Sequence, residues 1–267
     1  ASGDDFLFRC DAGSFTYKVN NNATTAMTID NSGRVGIGVV PKTWSGTYSA
    51  LQVGATGALW SGAASPSPST FLSQNVYYSG GYKHIEADEA SAYLQNGGSH
   101  YFRVAPSASA GAAAVLTDAM TINNSGNVGI GTSSPAYPLD VSINSSTTND
   151  AVVVARISAN TTGTAANNFG AALNFSGEDA SGSLRDLATI NGIYTNASSR
   201  SSALTFKTRE NLGAVTERMR IDSSGNVLVG RSAEPTSAND GTGLFLRPVG
   251  AIEANRDGGA VIVANRK

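Results

Sequence analysis

Charge is what this chain most conspicuously has little of. Asp, Glu, Lys and Arg make up 14% of its 267 residues, against about 25% in ordinary globular domains. The net charge is only −2, so no general attraction to nucleic acid or to an anionic membrane is expected, and nucleic acid is not expected as a partner. Cysteine is nearly absent: Cys10 stands alone, which excludes an intrachain disulfide and a cysteine-based zinc site. Cys10 reads as a small, half-buried apolar residue. No apolar run approaches the ~18 residues of a membrane-spanning helix. The hydrophobic share is 40%, under the ~45–50% of globular domains counted over a slightly different residue set. Long helices are not expected either: the stretch from Ser109 to Leu116 is Ala-rich, but Gly111 interrupts it.

Signatures of catalysis are equally thin. Histidine occurs twice, at His84 and His100, with no cysteine to pair with. The phosphate-cradling loop, the dinucleotide fingerprint, the acidic EF-hand spacing and the Gly-x-Ser-x-Gly elbow are all missing. No cofactor, metal site or catalytic residue is expected. Two acids can cleave a polysaccharide, and the candidate pairs are Asp4 with Asp5, Glu86 with Asp88 and Glu89, and Glu178 with Asp179. On a strand, His84, Glu86 and Asp88 would share one face, which reads most simply as a solvated polar stripe. The chain begins without a basic stretch leading into an apolar run, so no signal peptide is expected. Its end, shortly after the apolar run from Ala260 to Ala264, reads as that of a piece of a longer polypeptide.

What replaces charge is Ser, Thr, Asn, Gly and Ala, arranged in a repeat. The phrase from Ala26 to Gly38 returns almost letter for letter from Ala119 to Gly131, and more loosely from Arg218 to Gly230. Repeats of this kind imply serial modules rather than one core with one cleft. In each copy apolar residues alternate with polar or small ones on both sides of a Ser-Gly turn, the pattern of a β-hairpin. The turns are Asp30-Asn31-Ser32-Gly33, Asn123-Asn124-Ser125-Gly126 and Asp222-Ser223-Ser224-Gly225. Gly supplies a left-handed backbone there, and Asn or Asp closes the turn with its side chain.

One face of each hairpin is apolar: Met27, Ile29, Val35 and Ile37; Met120, Ile122, Val128 and Ile130; Met219, Ile221, Val227 and Val229. The other face of the first two return arms carries glycine, at Gly36 and Gly38 and at Gly129 and Gly131. Either a second backbone approaches that face closely or the glycines permit a bend. Phe6-Leu7-Phe8, Tyr101 to Val104 and Leu204 to Lys207 read as strands preceding the hairpins. A Pro-bearing loop, with Pro41, Pro135 and Pro138, or Pro235, leads to a further short strand at Leu51 to Val53, Leu139 to Val141 and Leu244 to Leu246.

Five serial segments follow: hairpin modules at 1–55, 100–141 and 203–267, separated by β-rich inserts at 56–99 and 142–202. The first insert carries Trp60, Tyr77, Tyr78, Tyr82 and Tyr93. Aromatic faces set among polar groups suit sugar rings, so these five are candidate ligand contacts. As cross-strand aromatic pairs in a sheet they would have a purely structural role. A polar, uncharged, turn-dense chain of this kind fits a fibrous β-protein whose strands find partners on other chains.

The run from Met120 to Pro135, followed by Leu139-Asp140-Val141, resembles the recurring shaft motif of tailed-bacteriophage tail fibres. The copies at Met27 and Met219 follow the same pattern. The stretches Leu246 to Ile252 and Asn255 to Gly259 resemble the segment that precedes a self-cleaving intramolecular chaperone in many such fibres; the chaperone itself is absent from this sequence. This resemblance implies an all-β, elongated homotrimeric fibre, with the twelve apolar hairpin residues facing a shared core. It implies a place in the virion, and as partners two further copies of the chain, other tail proteins, and a host cell-surface glycan or outer-membrane receptor. A tailspike-type polysaccharide hydrolase and a purely structural shaft are the alternatives.

Overall fold

The computed structural model describes residues 13–21, 23–45, 48–62, 69–210, 213–233, 243–246, 248 and 252–255. All regular structure among them is β, and no helix occurs. The chain divides into two compact units, residues 1–154 and 155–267. Modules and inserts that are separable in the sequence share continuous sheets within each unit.

In the first unit the strands are β1 (Phe15–Val19), β2 (Thr24–Ile29), β3 (Val35–Ile37), β4 (Tyr48–Val53), β5 (Gly57–Gly62), β6 (Ser69–Gln74), β7 (Val76–Tyr78), β8 (Tyr82–His84), β9 (Asp88–Asn96), β10 (Ser99–Ala108), β11 (Thr117–Ile122), β12 (Val128–Ile130) and β13 (Leu139–Val141). Eleven of them form one sheet in chain order, with β7 and β8 set aside as a separate hairpin. Neighbours are antiparallel except β3–β4 and β12–β13, which are parallel. The second unit holds β14 (Gly170–Glu178), β15 (Leu184–Asn196), β16 (Ser201–Arg209), β17 (Val215–Ile221), β18 (Val227–Val229), β19 (Gly243–Leu246) and β20 (Ile252–Asn255), again one sheet in chain order.

The three repeats are three hairpins, β2–β3, β11–β12 and β17–β18, with matching pairs Met27↔Ile37, Met120↔Ile130 and Met219↔Val229. Their turns share one set of bonds. The Asp30 Oδ1 accepts from the backbone N–H groups of Ser32 and Arg34, each at 2.9 Å. Asn123 Oδ1 does the same for Ser125 and Asn127, and Asp222 Oδ1 for Ser224 and Asn226. Gly33, Gly126 and Gly225 follow at φ +77°, +84° and +81°, conformations that cost a glycine little.

The first arm of each hairpin, β2, β11 or β17, is also bulged against the strand that precedes it, β1, β10 or β16. The register slips at Tyr17/Lys18, Phe102/Arg103 and Phe206/Lys207, always opposite the repeat methionine. The skipped residue keeps its carbonyl in use: Ala26, Ala119 and Arg218 accept from Gly38, Gly131 and Gly230. The bulge re-aims the strand and explains why a glycine closes every return arm. For the first copy the preceding strand is β1; the expected strand at Phe6-Leu7-Phe8 lies outside the described residues, as does Pro235.

The glycines of the return arms divide between the two roles left open. Gly38 and Gly131 have left-handed φ, +69° and +73°. Gly36 and Gly129 do not. A Cβ on Gly36 would stand 2.1 Å from the Val39 carbonyl, and one on Gly129 would stand 2.5 Å from the Thr132 carbonyl. The backbone approaching that face is the chain's own Pro-bearing loop. In the third copy Leu228 takes this position, paired with Phe245 of the antiparallel β19, and both are fully buried.

The two faces of the large sheet are unlike. One is covered by β7–β8, by the loop bearing Trp44 and by residues 111–114, which bond to β8 through Ala112, Gly111 and Ala114. Trp44, Trp60, Phe71, Val76, Leu94 and several alanines are buried there. The other face has no covering layer among the described residues. A single apolar row crosses it on all eleven strands, each residue paired with the next: Phe15, Ile29, Val35, Leu51, Leu59, Leu72, Tyr93, Phe102, Met120, Ile130 and Val141. None is buried, and Leu72 is 60% exposed. The second unit repeats this with Leu173, Ile190, Phe206, Met219, Val229 and Leu244, none of them buried. All twelve apolar hairpin residues named from the sequence lie on these uncovered faces at partial exposure.

Candidate functional site

The first insert's aromatics do not act as one surface. Trp60, on β5, is 1% exposed. It stacks on Phe71 of β6 with ring centroids 3.8 Å apart and planes 2° apart. Its indole N–H donates to Ser73 Oγ at 2.9 Å. Trp60 is therefore a core residue and offers no face to a ligand, because cross-strand pairing sets it directly opposite Phe71 on the covered side. Tyr93 lies on the opposite, uncovered face, stacked on His100 and tilted against Phe102. Its hydroxyl and His100 Nδ1 are 2.5 Å apart. Tyr77 sets its ring edge-on to buried Trp44 at 6.0 Å.

Tyr78 and Tyr82 do come together, at the two ends of the Ser79-Gly80-Gly81 turn of the β7–β8 hairpin, with ring centroids 5.5 Å apart. Tyr48 joins them, 4.8 Å from Tyr78 and edge-on to Trp60 at 5.3 Å. Its ring lies across β5 at Gly62, where an added Cβ would meet the ring at 2.5 Å. All three tyrosines are half-buried. Beneath them, Arg103 Nε donates to Asp118 at 2.5 Å, and the guanidinium lies 5.1 Å from the centre of the Tyr101 ring. Sequence reasoning missed Tyr48, Tyr101, Arg103 and Asp118. Nothing in their spacing brings residue 48 to a hairpin 30 positions on; that proximity is made by sheet order.

Burial pushes the Tyr82 hydroxyl above its ordinary range, against an opposing charge and hydrogen bond from Arg103. Burial also raises Tyr48, helped by Tyr78 and Tyr82. At neutral pH these phenols stay protonated, as neutral donors and acceptors beside flat rings. Such a platform can cover the C–H face of a sugar and bond its hydroxyls. It offers no acid–base pair in the ordinary working range.

His84, Glu86 and Asp88 do not form a stripe on one strand. His84 ends β8 and is 1% exposed, while residues 85–87 form a bend and Ile85 is fully buried. Asn75 dictates this path. It is buried at φ +62°, accepts from the Glu86 N–H at 2.7 Å, and donates to the carbonyls of Glu86, Asp88 and Glu89. The carboxylates of Glu86, Asp88 and Glu89 point to solvent, and the side chain of His84 is inside. The three residues are thus separated by burial rather than gathered.

No protein-family model matches the chain, and no curated protein is significantly similar to it.

Proposed function

We propose that this chain is a segment of a homotrimeric tail fibre of phage type, structural in its shaft and adhesive through its outer layer. One observation carries the reading: the unbroken apolar row over eleven strands, from Phe15 to Val141, that the described residues leave uncovered. Burying a large apolar side chain contributes ~1.5–3 kcal/mol, so a face this long favours association. A contiguous apolar patch of this extent is unusual on a monomer and marks an interaction surface. The number three comes from the fibre resemblance; the need for partners comes from the face. Cyclic copies can turn their open faces toward one axis and leave the covered faces outward.

On that arrangement Tyr48, Tyr78 and Tyr82 belong to the outward layer, which supports a surface glycan as the receptor. Other tail proteins would continue the fibre, and the virion is where it would act. Sedimentation equilibrium tests the assembly: a species of three chain masses is expected, and a monodisperse monomer at micromolar concentration would contradict it. A panel of bacterial surface polysaccharides tests adhesion. Retention without release of reducing ends is expected, weakened at least ~10-fold by Tyr78→Ala with Tyr82→Ala, since a ring contact of this kind contributes on the order of 1 kcal/mol or more each.

A further inference from the structure

We propose that the second unit carries a separate binding site for an anionic sugar, in a cleft between residues 156–159 and the facing ends of β14, β15 and β16. The cleft has a volume of about 510 Å³ and is lined by Arg156, Phe169, Gly170, Gly192, Tyr194 and Arg200, among others. No Asp or Glu lines it. That size lies within the ~300–1,000 Å³ of small-molecule sites.

The two arginines carry the inference. Arg34, Arg103, Arg185, Arg218 and Arg220 each face a carboxylate, and Arg209 and Arg231 donate to backbone carbonyls. Among the described residues Arg156 and Arg200 are the arginines with neither kind of partner, and they line the same cleft. Like charges gathered in one concavity repel each other and focus a positive potential, which an anion relieves. A guanidinium fork matches a carboxylate or a phosphate with two parallel bonds.

The walls suit a compact ligand. Arg200 is held in the β15–β16 turn at φ +61°. The turn is tied by the Ala197 N–H donating to Asn167 Oδ1 and the Ser199 N–H donating to Asn196 Oδ1. The floor is bare backbone: a Cβ on Gly170 would stand 1.9 Å from the Gly192 carbonyl. Tyr194 and Phe169 add aromatic surface, and Ser158 and Ser202 add hydroxyls. Residues 156–159 lie over this end of the sheet on the same side as the apolar row, where Ile157 stands beside Leu173 and Ile190, and the cleft opens beyond that end of the row. The choice of a sugar rests on the adhesive reading above; the requirement for negative charge rests on the cleft alone.

Calorimetry on the intact assembled protein at low ionic strength tests this, with tetragalacturonate, neutral galactotetraose and glucose 6-phosphate as probes. Tetragalacturonate or glucose 6-phosphate should bind at least ~10-fold tighter than galactotetraose, the better of the two naming carboxylate or phosphate as the recognised group. Arg156→Gln with Arg200→Gln should abolish that preference while leaving melting temperature and sedimentation unchanged. Equal binding of charged and neutral probes, or unchanged binding by the double variant, overturns the proposal. So does a double variant that falls apart into smaller species without any probe having bound, because the arginines would then hold a carboxylate of a second copy. If charged and neutral probes bind the intact protein equally while Tyr78→Ala still weakens retention on whole surface polysaccharide, this site is refuted and the adhesive reading stands.

Discussion

Gly36 and Gly129 show how much a single missing Cβ can specify. Neither has a left-handed backbone; each is glycine because a carbonyl of its own loop occupies the space a side chain needs. Gly129→Ala should therefore destabilise the protein by ~1–3 kcal/mol through overpacking. Gly163→Ala, whose added carbon would meet only Thr161 Oγ1 at 3.9 Å, should leave thermal unfolding unchanged. Equal melting temperatures for the two variants would refute the close approach. The tyrosines give a second residue-level expectation. Tyr48 and Tyr82 have hydroxyls raised above the ordinary 10.0, so the folded state favours their neutral form. The stability linked to them is complete below that ordinary value and is lost as pH rises through the raised one. Phenolate absorbance should show a late-titrating class that joins the rest on unfolding. A single class at the ordinary value would count against their burial.

Between residue and molecule, the elements were the most legible part of the sequence. Period-two alternation around an Asx-Ser-Gly turn specified β2–β3, β11–β12 and β17–β18, because both signals are local to a few residues. The bulges in their first arms were not legible, since a register slip is defined only against a partner strand. Nor was the direction of the strand after each Pro loop. It is parallel in β4 and β13 and antiparallel in β19, although the sequences that lead there look alike. The aromatic insert was half legible. Alternation marks its strands, but alternation alone does not say which face is covered, and Trp60 went to the inside. Trp60→Ala should cost ~3–5 kcal/mol in chemical unfolding, through loss of the Phe71 stack and of the bond to Ser73. A cost under ~1 kcal/mol would place Trp60 outside the core.

Across the whole molecule, the open face is the dominant fact. Leu72 and Phe102 are 60% and 43% exposed in the single chain, so an acid at either position leaves that chain's own contacts largely intact. Leu72→Asp with Phe102→Asp should keep the β signature in circular dichroism while converting the assembly to single chains in sedimentation. Persistence of the assembled species would exclude this face from the contact. The sequence by itself determined the hairpins, their turns and the apolar character of one side of each, because those depend on neighbours in the chain. Only the tertiary structure decided that the pairs line up into one row, that Tyr48 meets Tyr78 and Tyr82, and that Arg156 and Arg200 share a cleft. Each of those outcomes depends on strand order and register, which are set by the fit of one side of the sheet to the elements folded over it and are written at no single position.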